Sequence, residues 1–326
     1  MRRFWGFKWK ISGIMVVAGI VLSVLGYIFG ADVNGLYYDR FALRRSKEKT
    51  EVLAREYDEI DNIDIEVVFA DIEFVVSGAY KLEITGYLDE WQLEDSGQSI
   101  KISQKAKNRR MMFGFRGESE KVVVYLPDSC NLDNVVVKTG SGEIRIGGFN
   151  ASLVDINNTF GDVVAFNINS GFLSVKLNSG DFSGSDISSP SFFYSSQFGD
   201  SHFADINAET FECVSNSGSI SLERCEVLDI TIRNTFGDTI ANNLASGMAE
   251  IEARSGNVDI VGDMEGQTTI TSMFGDVKIS LAKPMDDYSY DINTDFGDIA
   301  IGSDRFGSNS KNQLHQAPAR DQLASY

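Results

Sequence analysis

The 326-residue sequence predicts an all-β parallel β-solenoid (β-helix) of 19-residue, two-strand coils, preceded by one N-terminal transmembrane helix. Three observations predict it. Glycines recur every nineteen residues, apolar residues alternate on both sides of each glycine, and nineteen consecutive residues near the N-terminus carry no charge.

The N-terminal elements come first. Arg2, Arg3, Lys8 and Lys10 precede the uncharged run at residues 11–29, which at helical rise approaches the thickness of a hydrocarbon core. A cleaved signal peptide is the competing reading, but bulky Phe29 stands where a peptidase needs a small residue, which favours a retained anchor. Arg40, Arg44, Arg45, Lys47 and Lys49 follow the span, five basic residues against the four before it. The first cluster lies closer to the span and has no acidic neighbours, so the N-terminus is expected inside. The expected order is a cytoplasmic basic N-terminus (1–10), a transmembrane helix (11–30) and a juxtamembrane stalk (31–59). The stalk alternates charges around Leu43, Val52 and Leu53 and reads as a solvated linker or a helix.

Gly142, Gly161, Gly180, Gly199, Gly218, Gly237, Gly256 and Gly275 are spaced by nineteen without a slip, and Gly297 follows after a three-residue insertion near Lys283-Pro284-Met285. Five residues before these glycines stand Val137, Ile156, Val175, Tyr194, Cys213, Ile232, Ile251, Ile270 and Ile292; two after them stand Ile144, Val163, Phe182, Ser201, Ile220, Thr239, Val258, Val277 and Ile299. Alternate residues on each side point inward, which is the period of a strand. Each coil is therefore two strands joined at a glycine corner. Seven residues after the glycine, Phe149, Ile168, Ile187, Ile206, Cys225 and Leu244 are placed to seal the return corner. Regular repeats are expected over 131–302. Residues 60–130 form an N-terminal coil, with Ala70 in the glycine's place, and a cap that blunts the first edge. Residues 303–326 are expected to be a disordered polar tail.

Composition narrows the function. The chain has a net charge of -18, with nine basic and three acidic residues in 1–50 against 20 and 44 in the remainder. Such a body repels phosphates, so nucleic acid is excluded as a partner. Three cysteines and two histidines leave no Cys-rich zinc site and little for histidine catalysis, and no zinc-protease, P-loop or dinucleotide motif occurs. An enzyme would need a specific carboxylate pair singled out from many, and none is. No catalytic residue and no cofactor are expected.

Three groups are candidate sites. The residue before the glycine alternates Ser and Phe from Ser141 to Phe274, with only Phe296 breaking the order, which places Phe160, Phe198, Phe236 and Phe274 in one file. This file either packs each ring over the small Ser of the next coil or presents an aromatic stripe to a ligand. The residue after the glycine is Asp162, Asp181, Asp200, Asp238, Asp276 or Asp298 in six coils. Such a ladder either accepts hydrogen bonds from corner amides or holds cations, with calcium the fitting ion. Arg109, Arg110, Phe113 and Phe115 lie in a basic, apolar segment suited to an anionic membrane surface, or they form a solvated loop folded on the cap.

The segments Thr139-Gly140-Ser141-Gly142-Glu143-Ile144, Asn158-Thr159-Phe160-Gly161-Asp162-Val163 and Asn234-Thr235-Phe236-Gly237-Asp238 resemble the bacterial putative-adhesin family of β-strand repeats, the toast-rack domains. Val122-Val123-Val124-Tyr125-Leu126-Pro127 is similar to that family's strand ending in a Leu-Pro turn. The resemblance spans residues 60–302. It implies a bacterial envelope protein of LiaG-like kind, often beside or fused to membrane parts of envelope-stress systems, and it carries no catalytic residues. The combined expectation is a non-enzymatic, single-pass protein of the bacterial cell membrane with an extracytoplasmic solenoid for binding, adhesion or scaffolding. Its partners would be the lipid bilayer and either a cell-wall polymer or another membrane protein. The alternative is a regulatory or sensor component of an envelope-stress response, acting through a membrane-protein partner.

Overall fold

The computed structural model describes residues 19, 36–39, 42–45, 51–105, 120–306 and 312–316. The expected basic N-terminus (1–10), the span at 11–30 apart from Gly19, and the segment holding Arg109, Arg110, Phe113 and Phe115 lie outside the described residues. Among the described residues no helix is long and apolar enough to cross a membrane. The chain divides into two compact units. In the first (Met1–Lys49 and Lys107–Ser119), β1 (Leu36–Asp39) pairs antiparallel with β2 (Ala42–Arg45).

The second unit (Thr50–Ala106 and Glu120–Tyr326) is an all-β parallel solenoid of about nine regular turns. Its N-terminal strands are β3 (Glu51–Tyr57), β4 (Asn62–Phe69), β5 (Asp71–Ser77), β6 (Tyr80–Gly86), β7 (Trp91–Ser96), β8 (Ser99–Gln104) and β9 (Lys121–Pro127). The repeats follow as β10 (Cys130–Ser141), β11 (Ile144–Phe160), β12 (Val163–Ser179), β13 (Phe182–Ser188), β14 (Ser191–Phe198), β15 (Ser201–Ser215), β16 (Ile220–Phe236) and β17 (Thr239–Ser255). The last strands are β18 (Val258–Met264), β19 (Gln267–Phe274), β20 (Val277–Leu281), β21 (Ser289–Phe296), β22 (Ile299–Ile301), β23 (Asp304–Phe306) and β24 (Asn312–Gln316).

Each residue of a regular coil pairs with the residue nineteen positions on: Val135 lies against Val154, Val154 against Leu173, and Ile232 against Ile251. Because inward positions recur at the same place in every coil, parallel stacking puts apolar columns one above another. Val137, Ile156, Val175, Tyr194, Cys213, Ile232, Ile251, Ile270 and Ile292 are all buried in this way. Aromatic residues concentrate in the middle coils, where Phe182, Phe192, Tyr194, Phe203 and Phe211 make ring contacts of 4.8–5.9 Å. Gly184 lies beneath them and leaves the volume the Phe182 ring needs; a Cβ there would come within 2.8 Å of it.

Two corners turn the chain. At the first, Gly180 has φ +137°, and a Cβ on it would stand 2.1 Å from the Gly161 carbonyl oxygen. Both the dihedral and the approach exclude any other residue. The ladder still crosses this corner, since Gly161 N–H donates to Ser179 O (3.0 Å) and Val163 N–H to Asp181 O (2.9 Å). The second corner is turned by a left-handed residue six positions after the glycine: Asn167, Asp186, Asp205, Arg224 and Asn243, with φ of 49–57°. Asn and Asp visit this region at low cost, whereas Arg does not. Arg224 is held there by a two-pronged ion pair with Asp205, Nε to Oδ1 and Nη2 to Oδ2, each 2.8 Å. Between the corners the strands bend without breaking, so β11, β12, β16 and β17 each run for 17 residues.

At the ends, strands from the expected stalk and tail segments join the solenoid. The coil β4–β5 is not the outermost. It lies between β10–β11 on one side and β8–β9 on the other, so spatial order differs from chain order. Antiparallel β6, β7 and β3 then close the N-terminal edge. Residues 51–57, expected in the stalk, are therefore a cap strand: Leu53 and Tyr57 pack on the core while Glu51, Arg55 and Glu56 face water. At the other end β23 pairs antiparallel with β22, and β24 with β21, in the segment expected to be a disordered tail. Unpaired edge amides explain the capture of these short polar strands.

Replacing Gly180 by Ala should destabilise the solenoid by at least about 3 kcal/mol. Gly78→Ala, where a Cβ meets nothing within 4 Å, should shift the thermal midpoint little. Paired thermal melts of the two variants check this.

Candidate functional site

The corner that carries the glycine also carries the exposed features of the coil. The residue before the glycine ends one strand and the residue after it precedes the next, so both side chains leave the core. In register, Phe160 lies against Ser179, Ser179 against Phe198, and Phe236 against Ser255, which itself lies against Phe274. The four predicted phenylalanines are brought into one file along one corner. They are 54%, 53%, 54% and 49% exposed. Burial is half complete, so each ring covers part of its neighbouring coil and offers the rest to solvent.

The file extends beyond the four residues. Phe69, beside Ser141 in the first coil, is 52% exposed and continues it at the N-terminal end. Phe296 continues it at the other end, stacked on Phe274 with ring centroids 5.1 Å apart and planes 4° from parallel. Phe69 escapes the nineteen-residue count because its coil is separated from the repeats by the cap. The signal that could have found it is Ala70-Asp71, already in the place of Gly-Asp.

On the far side of the glycine, the acidic residues join one another through the backbone. Asp162 Oδ1 accepts from Asp181 N–H, Asp181 Oδ1 from Asp200 N–H, and Asp200 Oδ1 from Ser219 N–H, each at 2.8 Å. A second run passes from Asp238 through Asn257 and Asp276 to Asp298 at 2.8–3.0 Å. The short Asx side chain reaches the amide one coil on, and each carboxylate places one oxygen on a donor. This offsets the repulsion between like charges at one-coil spacing. Asn257 makes the same bond without a charge, so the geometry and not the charge is what the corner requires. Among the described residues there is no cluster of three or more His, Cys, Asp or Glu placed to hold a metal ion.

A pair of buried asparagines explains the repeated Asn-Thr-Phe-Gly-Asp segment. Asn158 Nδ2 donates to the carbonyls of Gly142 (3.1 Å) and Gly161 (2.8 Å), and Asn234 Nδ2 to those of Gly218 (3.2 Å) and Gly237 (3.0 Å). Each clamps two successive corners from inside, under the coil that carries an outward Phe. Sequence reasoning passed over them because a polar residue at an inward position interrupts the apolar pattern.

The opposite corner borders an open groove of about 650 Å³. Its lining includes Asn131, Asn150 and Asn169, nineteen apart, together with Glu59, Asp61 and Asp133. Asn150 Nδ2 donates to Asn131 Oδ1 (3.0 Å) and to Ser129 O (2.9 Å). Desolvation, then the nearby Glu59 and Asp133 carboxylates, push the Asp61 carboxyl above its ordinary range. The thiols of Cys130, Cys213 and Cys225 are free and buried, and burial raises each above the ordinary thiol value.

A family model described as Toastrack DUF4097 matches the chain over residues 60–192 and again over 169–323. No curated protein matches the chain. A crystal structure of a putative adhesin from Bacteroides fragilis NCTC 9343 is 18% identical and covers 72% of this chain and 97% of its own, with a TM-score of 0.42. A putative lipid binding protein from Parabacteroides distasonis ATCC 8503 is 17% identical, covering 78% and 94%, with a TM-score of 0.37. A putative adhesin from Parabacteroides merdae ATCC 43184 is 14% identical, covering 78% and 97%, with a TM-score of 0.36.

If the ladder is a backbone device, Asp181→Asn should leave stability nearly unchanged. Asp181→Ala should cost about 1 kcal/mol, the net value of one hydrogen bond. Asn234→Ala, which leaves two part-buried glycine carbonyls without their donor and opens a cavity, should cost about 2–3 kcal/mol. Denaturant unfolding of the three variants separates these values.

Proposed function

The chain belongs to the Toastrack DUF4097 family, and from that premise we propose that it is a non-enzymatic binding module of the bacterial cell envelope, of adhesive or scaffolding type. Its rod would be presented outside the cytoplasmic membrane by an anchor at residues 11–30, with residues 1–10 inside. The uncharged run and its basic flank support that placement. One observation carries the reading: half-exposed phenylalanines stand in a single file along one corner, where a soluble rod gains nothing from leaving them uncovered. Phe160, Phe198, Phe236 and Phe274 are the proposed contact residues, with Phe69 and Phe296 extending the file.

The rest of the corner fits this role. The glycines and the Asx ladder hold successive coils in one register, so the rings keep a constant spacing, and a rigid array binds a linear ligand with little loss of conformational entropy. The contacts need no cofactor. Calcium, if taken up, would have to use the oxygens of Asp162, Asp181, Asp200, Asp238, Asp276 and Asp298 that the corner amides leave free. The segment of Arg109, Arg110, Phe113 and Phe115 is proposed as the contact with the anionic membrane surface, on its composition.

The test uses the purified full chain sedimented with isolated bacterial cell walls, with and without calcium. The parent should sediment with the walls. Replacing Phe160, Phe198, Phe236 and Phe274 together by Ser, the residue of the alternate coils, should lower the bound fraction at least about fivefold with the fold intact by circular dichroism. Unchanged sedimentation of the Ser variant would exclude the file as the binding surface.

A further inference from the structure

The repeat sets the ring spacing, and the spacing selects a ligand. Parallel strands stack about 4.8 Å apart, so rings in alternate coils stand about 9.6 Å apart. The adjacent rings of Phe274 and Phe296, 5.1 Å apart, agree with one coil per step. A polypeptide can meet such a file only if like-facing side chains recur at that distance. A polyproline II helix repeats every three residues, about 9.3 Å, so over the three intervals from Phe160 to Phe274 it drifts out of phase by only about 1 Å. An α-helix comes closest with its heptad, about 10.5 Å, and drifts by about 3 Å. In a β-strand, residues three apart point to opposite faces.

Charge narrows the choice further. Across the glycine from the Phe and Ser positions runs the exposed file of Asp162, Asp181, Asp200 and Asp276, each with one carboxylate oxygen beyond its amide bond. The file repels anionic polymers and complements basic side chains. A second copy of this chain fits poorly, since it would bring two such files together along a strip one side chain wide.

We propose that the Phe–Asp corner is a docking strip for a basic, proline-rich segment in polyproline II conformation. Every third residue of the segment would sit on a ring, and its Lys or Arg side chains would reach the Asp file. This rests on the reading of the phenylalanine file as a binding surface and adds the class of partner. Half-buried Ser141, Ser179, Ser217 and Ser255 form the notches between rings, so the strip offers alternating ridges and hollows of the kind that proline-rich ligands fill.

The repeat itself supplies variants that fold. Ser already stands in the Phe position of alternate coils, and Asn257 already makes the ladder bond in place of Asp. The experiment measures fluorescence anisotropy of labelled peptides on the purified full chain. The probes are a peptide of Pro-Pro-Arg repeats, one of Gly-Gly-Arg repeats with equal charge, and a neutral β-linked N-acetylglucosamine oligosaccharide as an unlabelled competitor. The expected result is at least about tenfold tighter binding of the Pro-Pro-Arg peptide than of the Gly-Gly-Arg peptide, because the former is already in the bound conformation. Phe198→Ser with Phe236→Ser should remove that advantage, and Asp181→Asn with Asp200→Asn should weaken both peptides and flatten the salt dependence. Equal affinity for the two peptides would overturn the inference. If the oligosaccharide binds and Phe198→Ser with Phe236→Ser abolishes its binding alone, the partner is a glycan and the binding surface survives without this ligand class. If the Ser variants change no binding at all, the surface and the ligand class both fail.

Discussion

Successive glycine corners approach so closely that the carbonyl oxygen of one coil occupies the space a Cβ of the next would need. That contact, 2.0–2.3 Å from an ideal Cβ at Gly161, Gly180, Gly199, Gly218 and Gly237, sets the coil length. A coil of a different length would bring a side-chain-bearing residue to the same point. Insertions are consequently tolerated only away from the corner, as near the short 3-10 turn at Met285–Asp287, where the chain adds three residues and regains register at Ser289. Every other column follows from this one. Inward apolar residues, the left-handed second corner and the outward Phe and Asp files each hold a fixed distance from the glycine.

Constant register turns small interactions into long ones. One Asx-to-amide bond is worth little on an exposed surface, yet the same bond recurs along two runs of the corner and relieves repulsion that would otherwise accumulate with length. The same logic governs the core, where no coil has to be well packed alone. Gly184 and Ala165 are small for their column, and the Phe182 ring takes the space over Gly184 and meets Phe203 of the next coil. Where a column breaks the rule of residue type, a local interaction compensates: Arg224 occupies a left-handed position under a bidentate hold from Asp205, and Asn158 and Asn234 occupy inward positions by bonding the carbonyls of two corners.

The repeat and its inward columns were legible because each depends on residues at constant separation. The Phe and Asp files were legible as patterns, but their meaning was not. Whether a ring lies flat on the next coil or projects into water depends on side-chain volumes in two coils at once, and the rings do both in nearly equal measure. Residues 51–57 read as stalk because Glu51, Arg55 and Glu56 resemble a solvated linker; as an edge strand they need only one apolar face. The groove walls Asn131, Asn150 and Asn169 carried the nineteen-residue period too, hidden by the common occurrence of Asn in turns.

The sequence by itself determined the coil length, the class of fold, the identity of the core and the two files at the corner, because a parallel in-register stack repeats the same local requirement in every coil. Tertiary structure alone decided the order of the first coils and the strands that close the ends. It also decided the continuation of the phenylalanine file to Phe69, which lies directly against Ser141 although the cap separates the two in the chain. These arise from pairing between segments far apart in the chain, where no spacing is repeated and the free amides of an edge accept whichever strand the connecting chain can deliver.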